Sequence, residues 1–177
     1  DKGVGTFVDA ARILRSKVSA RFVLVGQPDV GNPASIEVQM LKRWVDEGVM
    51  EWWGWMSDMR EVFSSCHIVA LPSLGEGLPT ILLEAASSGR PIVATDVPGC
   101  RDVVANGVNG LTVPPQDASA LADAMETLIL HPERRRVMGL AGRSLVVERF
   151  SSEKVNQATY AVYRRLANEI EGKSRAS

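Results

Sequence analysis

The sequence is poor in the features that would place a protein in several common classes. Only two of its 177 residues are cysteines, and Cys66 and Cys100 have neither a metal-ligand spacing nor the number needed for a disulfide framework. Such usage favours a reducing, cytoplasmic location. The net charge is only −1, so no overall positive field would recruit nucleic acid, and we expect no nucleic-acid partner. No apolar run approaches the ~18 residues of a membrane-spanning helix, so we expect no direct insertion of this chain into a membrane.

The sequence also lacks the glycine fingerprint of dinucleotide-binding proteins. Gly3 and Gly5 form a Gly-x-Gly pair, but no strand precedes them in the chain and the third glycine of the pattern is absent. An oxidoreductase that binds NAD is therefore disfavoured. The two histidines, His67 and His131, begin a predicted strand and precede a proline, and these positions favour structural or solvent-facing roles over catalysis.

What is present is a regular alternation of short apolar runs and longer segments of helical periodicity. This alternation is typical of a parallel sheet covered on both faces, and it predicts a Rossmann-like, doubly wound α/β fold. Ligands bind such sheets outside the carboxyl ends of the strands, where most of the unusual loops of this sequence lie. The predicted strands are 21–26, 49–53, 67–71, 91–95 and 111–113, and the predicted helices are 3–18, 34–47, 59–65, 80–88, 101–105, 119–130, 132–148 and 152–171.

The segment from residue 71 to residue 99 carries the strongest indication of a ligand. Glu76 lies in a loop broken by glycine and proline, and Glu84 lies eight positions later in the helix that follows. The first amides of a helix lack intrahelical partners and carry the positive end of the helix dipole, so this arrangement forms a natural anion site. Carboxylates beside such a site accept hydrogen bonds from hydroxyls while the amides hold phosphates. The combination predicts a ligand that is part phosphate and part polyol, such as a sugar nucleotide.

Six short motifs follow one another along the chain. They are DKG at residues 1–3, LVG at 24–26, GWMSD at 54–58, LPSLGEGLPTILLEA at 71–85, GRPIVATDVPG at 89–99 and NGVNGLTVPP at 106–115. Any one of them is weak, but together, in this order, they resemble the C-terminal, donor-binding domain of a family 4 (group 1) glycosyltransferase with the GT-B fold. The resemblance extends over essentially all 177 residues.

The resemblance implies roles for the two glutamates. Glu84 corresponds to the glutamate that bonds the ribose hydroxyls of the nucleotide, and a carboxylate suits two adjacent hydroxyls because both of its oxygens accept hydrogen bonds. Glu76 corresponds to the glutamate beside the donor sugar, and it is the candidate catalytic residue. Its charge would favour positive charge that develops at the anomeric carbon, and whether it acts as a nucleophile is left open.

The resemblance also implies a set of phosphate contacts. Lys2 matches the lysine that contacts the donor pyrophosphate, where a cation stabilises the charge that grows on the leaving group. The backbone from Leu78 to Ile81 matches the segment that approaches the phosphates. Thr80 and Ile81 are the expected amide donors, because Pro79 has no N–H.

Two further expectations concern the base and metals. Met56 matches the loop that lines the base pocket in the family, where a thioether can pack against a base. The sequence contains no Asp-x-Asp, the motif with which a glycosyltransferase would usually hold a metal-bound diphosphate. We therefore expect no metal and no cofactor, with the nucleoside diphosphate sugar as a substrate.

The implied activity is that of a retaining, metal-independent glycosyltransferase that moves a sugar from a nucleoside diphosphate sugar to an acceptor hydroxyl. A UDP-sugar donor and bacterial polysaccharide or glycolipid synthesis are favoured. The acceptor, a glycan or a lipid-linked sugar, would be bound through a missing N-terminal domain. We expect this chain alone to bind nucleotide weakly and not to turn over, because closure of two domains completes the site. Membrane association of the full-length protein is left open.

The expected organisation is a nucleotide-sugar-binding domain at 1–150, a helix at 151–171 that folds toward the missing acceptor domain, and a tail at 172–177. Two alternatives remain open. One is a nucleotide-binding or docking domain without catalysis of its own. The other is a different GT-B protein, such as a glycogen or sucrose synthase-like enzyme or a sugar-nucleotide epimerase.

Overall fold

The computed structural model describes residues 2–29, 31–32 and 35–174, with side chains described as far as residue 168. Short parallel strands alternate with helices within these residues. The elements are α1 (Val4–Leu14), β1 (Val23–Val25), α2 (Val38–Asp46), β2 (Glu51–Gly54), α3 (Met59–Ser65), β3 (Val69–Leu71), α4 (Thr80–Ser87), β4 (Ile92–Thr95), α5 (Pro98–Val103), β5 (Gly110–Val113), α6 (Ala118–Leu130), α7 (Pro132–Phe150) and α8 (Ser152–Ser174).

All the strand pairs in the described residues are parallel. Strands β1 and β2 form one sheet, in which Val23 lies opposite Glu51. Strands β3, β4 and β5 form a second sheet with β4 at its centre, and Ile92 of β4 lies opposite Val69 of β3. The predicted parallel α/β fold is confirmed, although the ladder hydrogen bonds divide the strands into two sheets rather than one.

Helices cover β4 on both of its faces, as a doubly wound fold requires. Its four residues are all buried, and successive side chains of a strand point to opposite faces. Val93 packs into a hydrophobic cluster with residues of α1 and α6, such as Leu14 and Leu121. Its neighbour Ile92 packs into a second cluster, with residues of α4, α5 and α7. The central strand therefore joins two cores.

Several boundaries differ from those predicted. Helix α5 begins at Pro98 rather than at residue 101, because proline suits the first turn, where its missing N–H has no intrahelical acceptor to lose. Helix α2 begins at Val38, and part of the predicted start at 34 lies outside the described residues. Helix α8 continues to Ser174, so residues 172–174 are helical where a tail was expected, and 175–177 lie outside the described residues.

Candidate active site

The candidate site lies beyond the carboxyl ends of β3 and β4. Strand β3 ends at Leu71 and the loop to α4 follows it, while β4 ends at Thr95 and is followed by the turn into α5. Because the two strands are parallel and paired, both loops leave the sheet at the same edge. This is the edge at which open α/β folds bind their ligands.

Glu76 and Lys2, which are 74 positions apart in the chain, meet at this edge. The Lys2 Nζ lies 2.7 Å from the Glu76 Oε1 and donates a hydrogen bond to it. The lysine side chain is 65% exposed, whereas only 9% of the glutamate side chain is exposed. Burial pushes the pKa of Glu76 upward, but the hydrogen bonds from Lys2 and Ser73 and the charge of the lysine outweigh it, so the pKa lies below its ordinary value. Glu76 is therefore held as a carboxylate.

A buried polar network lies beneath this carboxylate. The Ser73 hydroxyl donates a hydrogen bond of 2.5 Å to the same Glu76 Oε1 that Lys2 contacts. The Thr95 hydroxyl in turn donates to the backbone carbonyl of Ser73. Ser73 and Thr95 are both completely buried.

Two glycines allow the backbone segments of the site to approach closely. Gly3 has a φ of 69°, and a Cβ there would overlap the carbonyl oxygen of Pro72. A Cβ at Gly99 would overlap the carbonyl oxygens of Glu76 and Gly77. The first contact brings the segment that carries Lys2 against the end of β3, and the second presses the start of α5 against the glutamate loop.

Helix α4 begins directly after the glutamate loop, and its first backbone amides are uncapped. Its N-cap position is Pro79, and no side chain caps the helix. The first described bonds into the helix are accepted by the Pro79 carbonyl, from Leu82 and Leu83. The amides of Thr80 and Ile81 therefore have no intrahelical acceptor and are available to an anion.

Glu84 lies one turn farther along α4, on the same side as Thr80. Both residues are exposed, and so is Leu78 in the preceding loop. Within the described part of the chain, no hydrogen bond or ion pair of the Glu84 carboxylate is found, in contrast to that of Glu76. The Glu84 carboxylate is thus free near the uncapped amides, and no described hydrogen bond or ion pair joins it to Lys2 or Glu76.

Met56 lies in the loop after β2, apart from the hydrogen-bonded group around Glu76. It is half-buried, and its neighbour Trp55 is 66% exposed. The other two tryptophans of this region are held by protein groups: Trp52 donates to the carbonyl oxygen of Gly26, and Trp53 donates to Glu51. Trp55 is therefore the tryptophan of the three that remains exposed beside Met56.

Comparison with known proteins shows which family the chain belongs to. Residues 1–131 match the family described as "Glycosyl transferases group 1". The chain belongs to this family. It is 35% identical to the N,N'-diacetylbacillosaminyl-diphospho-undecaprenol alpha-1,3-N-acetylgalactosaminyltransferase of Campylobacter jejuni, over 77% of this chain and 34% of that protein. The resemblance to group 1 glycosyltransferases is thus confirmed.

Solved structures of other proteins have the same fold. Anabaena Alr3699/HepE in complex with UDP and glucose has a TM-score of 0.81 and 25% identity, covering 92% of this chain and 45% of that one. The C-terminal domain of a group 1 glycosyltransferase (LpcC) from Francisella tularensis has a TM-score of 0.72 and 22% identity, covering 85% of this chain and 80% of that domain. The aligned part of the chain covers 34% of the Campylobacter protein and 45% of the Anabaena protein, so the chain spans less than half of the length of either.

Three residues that support the candidate site were not predicted as site residues. Ser73, Thr95 and Gly99 hold or pack against the glutamate loop. One signal in the sequence is that Ser73 and Thr95 are polar residues at the ends of apolar runs. That position places them at the ligand-binding edge of a parallel sheet.

The described residues contain no group of three or more His, Cys, Asp or Glu side chains that could hold a metal ion. None of the described helices is both long enough and apolar enough to cross a membrane. One surface cleft, of about 310 Å³, lies at the opposite edge of the sheet and is lined by His67, Arg90 and Arg135, among others. It shares no residue with the group around Glu76.

Proposed function

We propose that this chain is the donor-binding domain of a retaining, metal-independent glycosyltransferase. The enzyme would move a sugar from a nucleoside diphosphate sugar, with UDP-sugars favoured, to an acceptor hydroxyl in polysaccharide or glycolipid synthesis. The observation that carries the proposal is the meeting of Lys2 and Glu76 beside the uncapped end of α4. A cation, a carboxylate and the uncapped amides of α4 thus lie together at one edge of the sheet.

The diphosphate would bind between Lys2 and the first amides of α4. Its negative charge suits the positive end of the helix dipole, and the amides of Thr80 and Ile81 are free to donate. As the bond to the sugar breaks, charge grows on the leaving diphosphate, and Lys2 would stabilise it there. Lys2 and the positive end of the helix dipole supply positive charge that a divalent metal would otherwise provide, and this supports the metal-independent, cofactor-free part of the proposal.

The two glutamates would contact different parts of the donor. Glu84 is exposed and has both carboxylate oxygens available for the ribose hydroxyls. Glu76 is largely buried and ionised, so it suits a hydroxyl of the donor sugar and the positive charge that develops at the anomeric carbon. Met56, with the exposed Trp55 beside it, would pack against the base.

Two observations support the choice of donor and the need for a partner domain. The solved relative that contains UDP and glucose supports a uridine nucleotide as the donor carrier. The Campylobacter and Anabaena relatives are more than twice as long as this chain, which supports a further domain that binds the acceptor glycan or lipid-linked sugar. Closure of the two domains would then complete the site.

A calorimetric titration of UDP, GDP, ADP and NAD tests the proposal directly. We expect a nucleoside diphosphate to bind, and UDP to bind most tightly. Glu84→Gln should weaken that binding about tenfold, because a hydrogen bond to a charged group is lost. Glu148→Gln, which changes an exposed glutamate on α7, is the matched control and should leave binding unchanged.

Two outcomes would contradict the proposal. Binding of NAD alone, unaffected by Glu84→Gln, would indicate a different class of enzyme. Absence of binding by every nucleoside diphosphate at millimolar concentration would show that this chain does not form a donor-binding site on its own.

A further inference from the structure

The Glu76 carboxylate receives two hydrogen bonds on a single oxygen. Lys2 Nζ donates to Oε1 at 2.7 Å, and Ser73 Oγ donates to the same atom at 2.5 Å. In the described part of the chain, no hydrogen bond to the other oxygen, Oε2, is found. One oxygen is therefore held by the protein, and the other is available to a ligand hydroxyl.

The two donors differ in how firmly they are placed. The Lys2 side chain is mostly exposed, and a lysine carries its charge on a flexible four-carbon stem. Ser73 is completely buried, and its backbone carbonyl accepts a hydrogen bond from the buried Thr95 hydroxyl. Ser73 is thus a rigid donor, whereas Lys2 can leave Glu76 with little rearrangement.

Once a nucleoside diphosphate sugar binds, Lys2 cannot donate equally to the Glu76 carboxylate and to the diphosphate. A diphosphate carries more negative charge than a carboxylate and would draw the ammonium group toward itself. Glu76 would then lose its cationic partner at the stage when the carboxylate must be held in place to contact the donor sugar. We propose that Ser73 is a positioning residue, whose buried hydroxyl keeps the Glu76 carboxylate in place while Lys2 moves to the diphosphate of the donor.

This inference rests on the proposed function, because it assumes that a nucleoside diphosphate sugar binds at this edge. The inference adds Ser73, which would affect the binding of the sugar only through Glu76. Loss of Ser73 should therefore affect the sugar and leave the nucleotide contacts unchanged. That separation makes the inference testable.

The first test measures the Glu76 carboxyl without any ligand. Carbon-13 NMR of glutamate carboxyls, with the Glu76 signal identified by its loss in Glu76→Gln, gives the pKa of this group in the chain. Ser73→Ala should raise the pKa, because a hydrogen bond to the charged form is removed. Lys2→Met should also raise it, and the double variant should raise it further. Ser64→Ala, which removes a serine hydroxyl bonded to a backbone carbonyl in α3, should not change it.

The second test compares UDP with UDP-glucose by calorimetry. In the unaltered chain the glucose should add affinity through Glu76. Ser73→Ala should leave the affinity for UDP unchanged and weaken the binding of UDP-glucose about tenfold. The double variant Ser73→Ala/Glu76→Gln should bind UDP-glucose no more weakly than Glu76→Gln, since Ser73 acts through Glu76.

Different outcomes overturn different statements. Equal weakening of UDP and UDP-glucose by Ser73→Ala would show a structural role and overturn the inference, as would an unshifted pKa of Glu76. If the unaltered chain binds no nucleotide at all, the proposed function fails, and the carboxyl titration still decides whether Ser73 holds Glu76. If Ser73→Ala fails to fold, the amide NMR spectrum will show it. Thr95→Val is then the alternative variant, because it removes the hydroxyl that donates to the Ser73 backbone carbonyl and so weakens the placement of Ser73.

Discussion

Gly99 has no room for a side chain, although its backbone is not in a left-handed conformation. A Cβ there would overlap the carbonyl oxygens of Glu76 and Gly77, so Gly99→Ala must move the glutamate loop. We expect a loss of about 1–3 kcal/mol in the free energy of unfolding, as in other overpacked sites. Urea denaturation measures it, and the Glu76 carboxyl titration reports the displaced loop.

Gly75→Ala is the matched control for this change, because a Cβ at Gly75 would meet nothing within 4 Å. It should leave the stability nearly unchanged. If Gly99→Ala and Gly75→Ala have the same free energy of unfolding, the close packing of α5 on the glutamate loop is contradicted.

Glu51 has the most readily testable pH dependence. Hydrogen bonds from Arg21 and Trp53 outweigh the effect of burial and lower the pKa of Glu51 from 4.5 to about 2. A lowered pKa stabilises the folded state above the unfolded value, and this contribution is lost as the pH falls from about 4.5 to about 2. The pair is substantially exposed, so Glu51→Gln should cost less than about 1 kcal/mol at neutral pH.

Thermal unfolding of the unaltered chain and Glu51→Gln at several pH values measures this effect. The difference between them should be greatest near neutral pH and shrink toward pH 2. Glu148→Gln serves again as a control, and its effect should not follow that pH profile. A difference that grows as the pH falls would reverse the sign and refute the ion-pair explanation.

At the scale of single residues, the sequence predicted the charged groups of the site better than their support. Glu76 and Lys2 were both predicted, and the structure brings them together. Ser73 was not, because a serine in a loop after a strand is usually a solvated turn residue. Its burial and its bond with Thr95 arise from the pairing of β3 with β4, which is a long-range contact that local sequence does not encode.

At the scale of elements, the contact between α4 and α7 depends on two glycines. A Cβ at Gly139 of α7 would overlap the carbonyl oxygen of Gly89, which follows α4. Gly139→Ala should therefore push apart the helix that carries Glu84 and the helix that supports it. The expected loss is about 1–3 kcal/mol in the free energy of unfolding, measured by urea denaturation.

Gly142, one turn farther along α7, provides the control for that experiment. A Cβ there would make ordinary contacts of 3.5 Å with the side chains of Ala86 and Asn109. Gly142→Ala should be neutral or stabilise the protein by up to about 1 kcal/mol, because alanine favours a helix over glycine. Equal effects of the two alanines would show that α4 and α7 do not pack at Gly89.

The types of the elements were predicted more accurately than their ends. The bounds of α3 agree with the prediction, since Asp58 caps its first turn by accepting from the Arg60 amide and the sequence carries that signal. Strand β3 begins at Val69 rather than at His67. Its length is set by the residues that β4 offers as partners, and the sequence of β3 alone does not contain that information.

At the scale of the whole molecule, the two hydrophobic clusters end before α8. The side chains from residue 153 to residue 168 are all exposed, including a set of apolar ones. These are Val155, Tyr160, Val162, Tyr163 and Leu166. The idea that α8 folds toward an N-terminal acceptor domain stays a prediction, but its exposure within this chain has a direct consequence for stability.

Removing α8 by ending the chain at Ser151 should change the free energy of unfolding by less than about 1 kcal/mol, because the helix buries little apolar area against the rest of the described chain. It should also reduce self-association, since an exposed apolar stripe is removed. Calorimetry and sedimentation velocity measure the two effects. Val162→Lys is the matched variant of full length, and it should keep the unfolding temperature while lowering self-association. A fall of more than about 5 °C on truncation would contradict this argument and show that α8 stabilises the domain on its own.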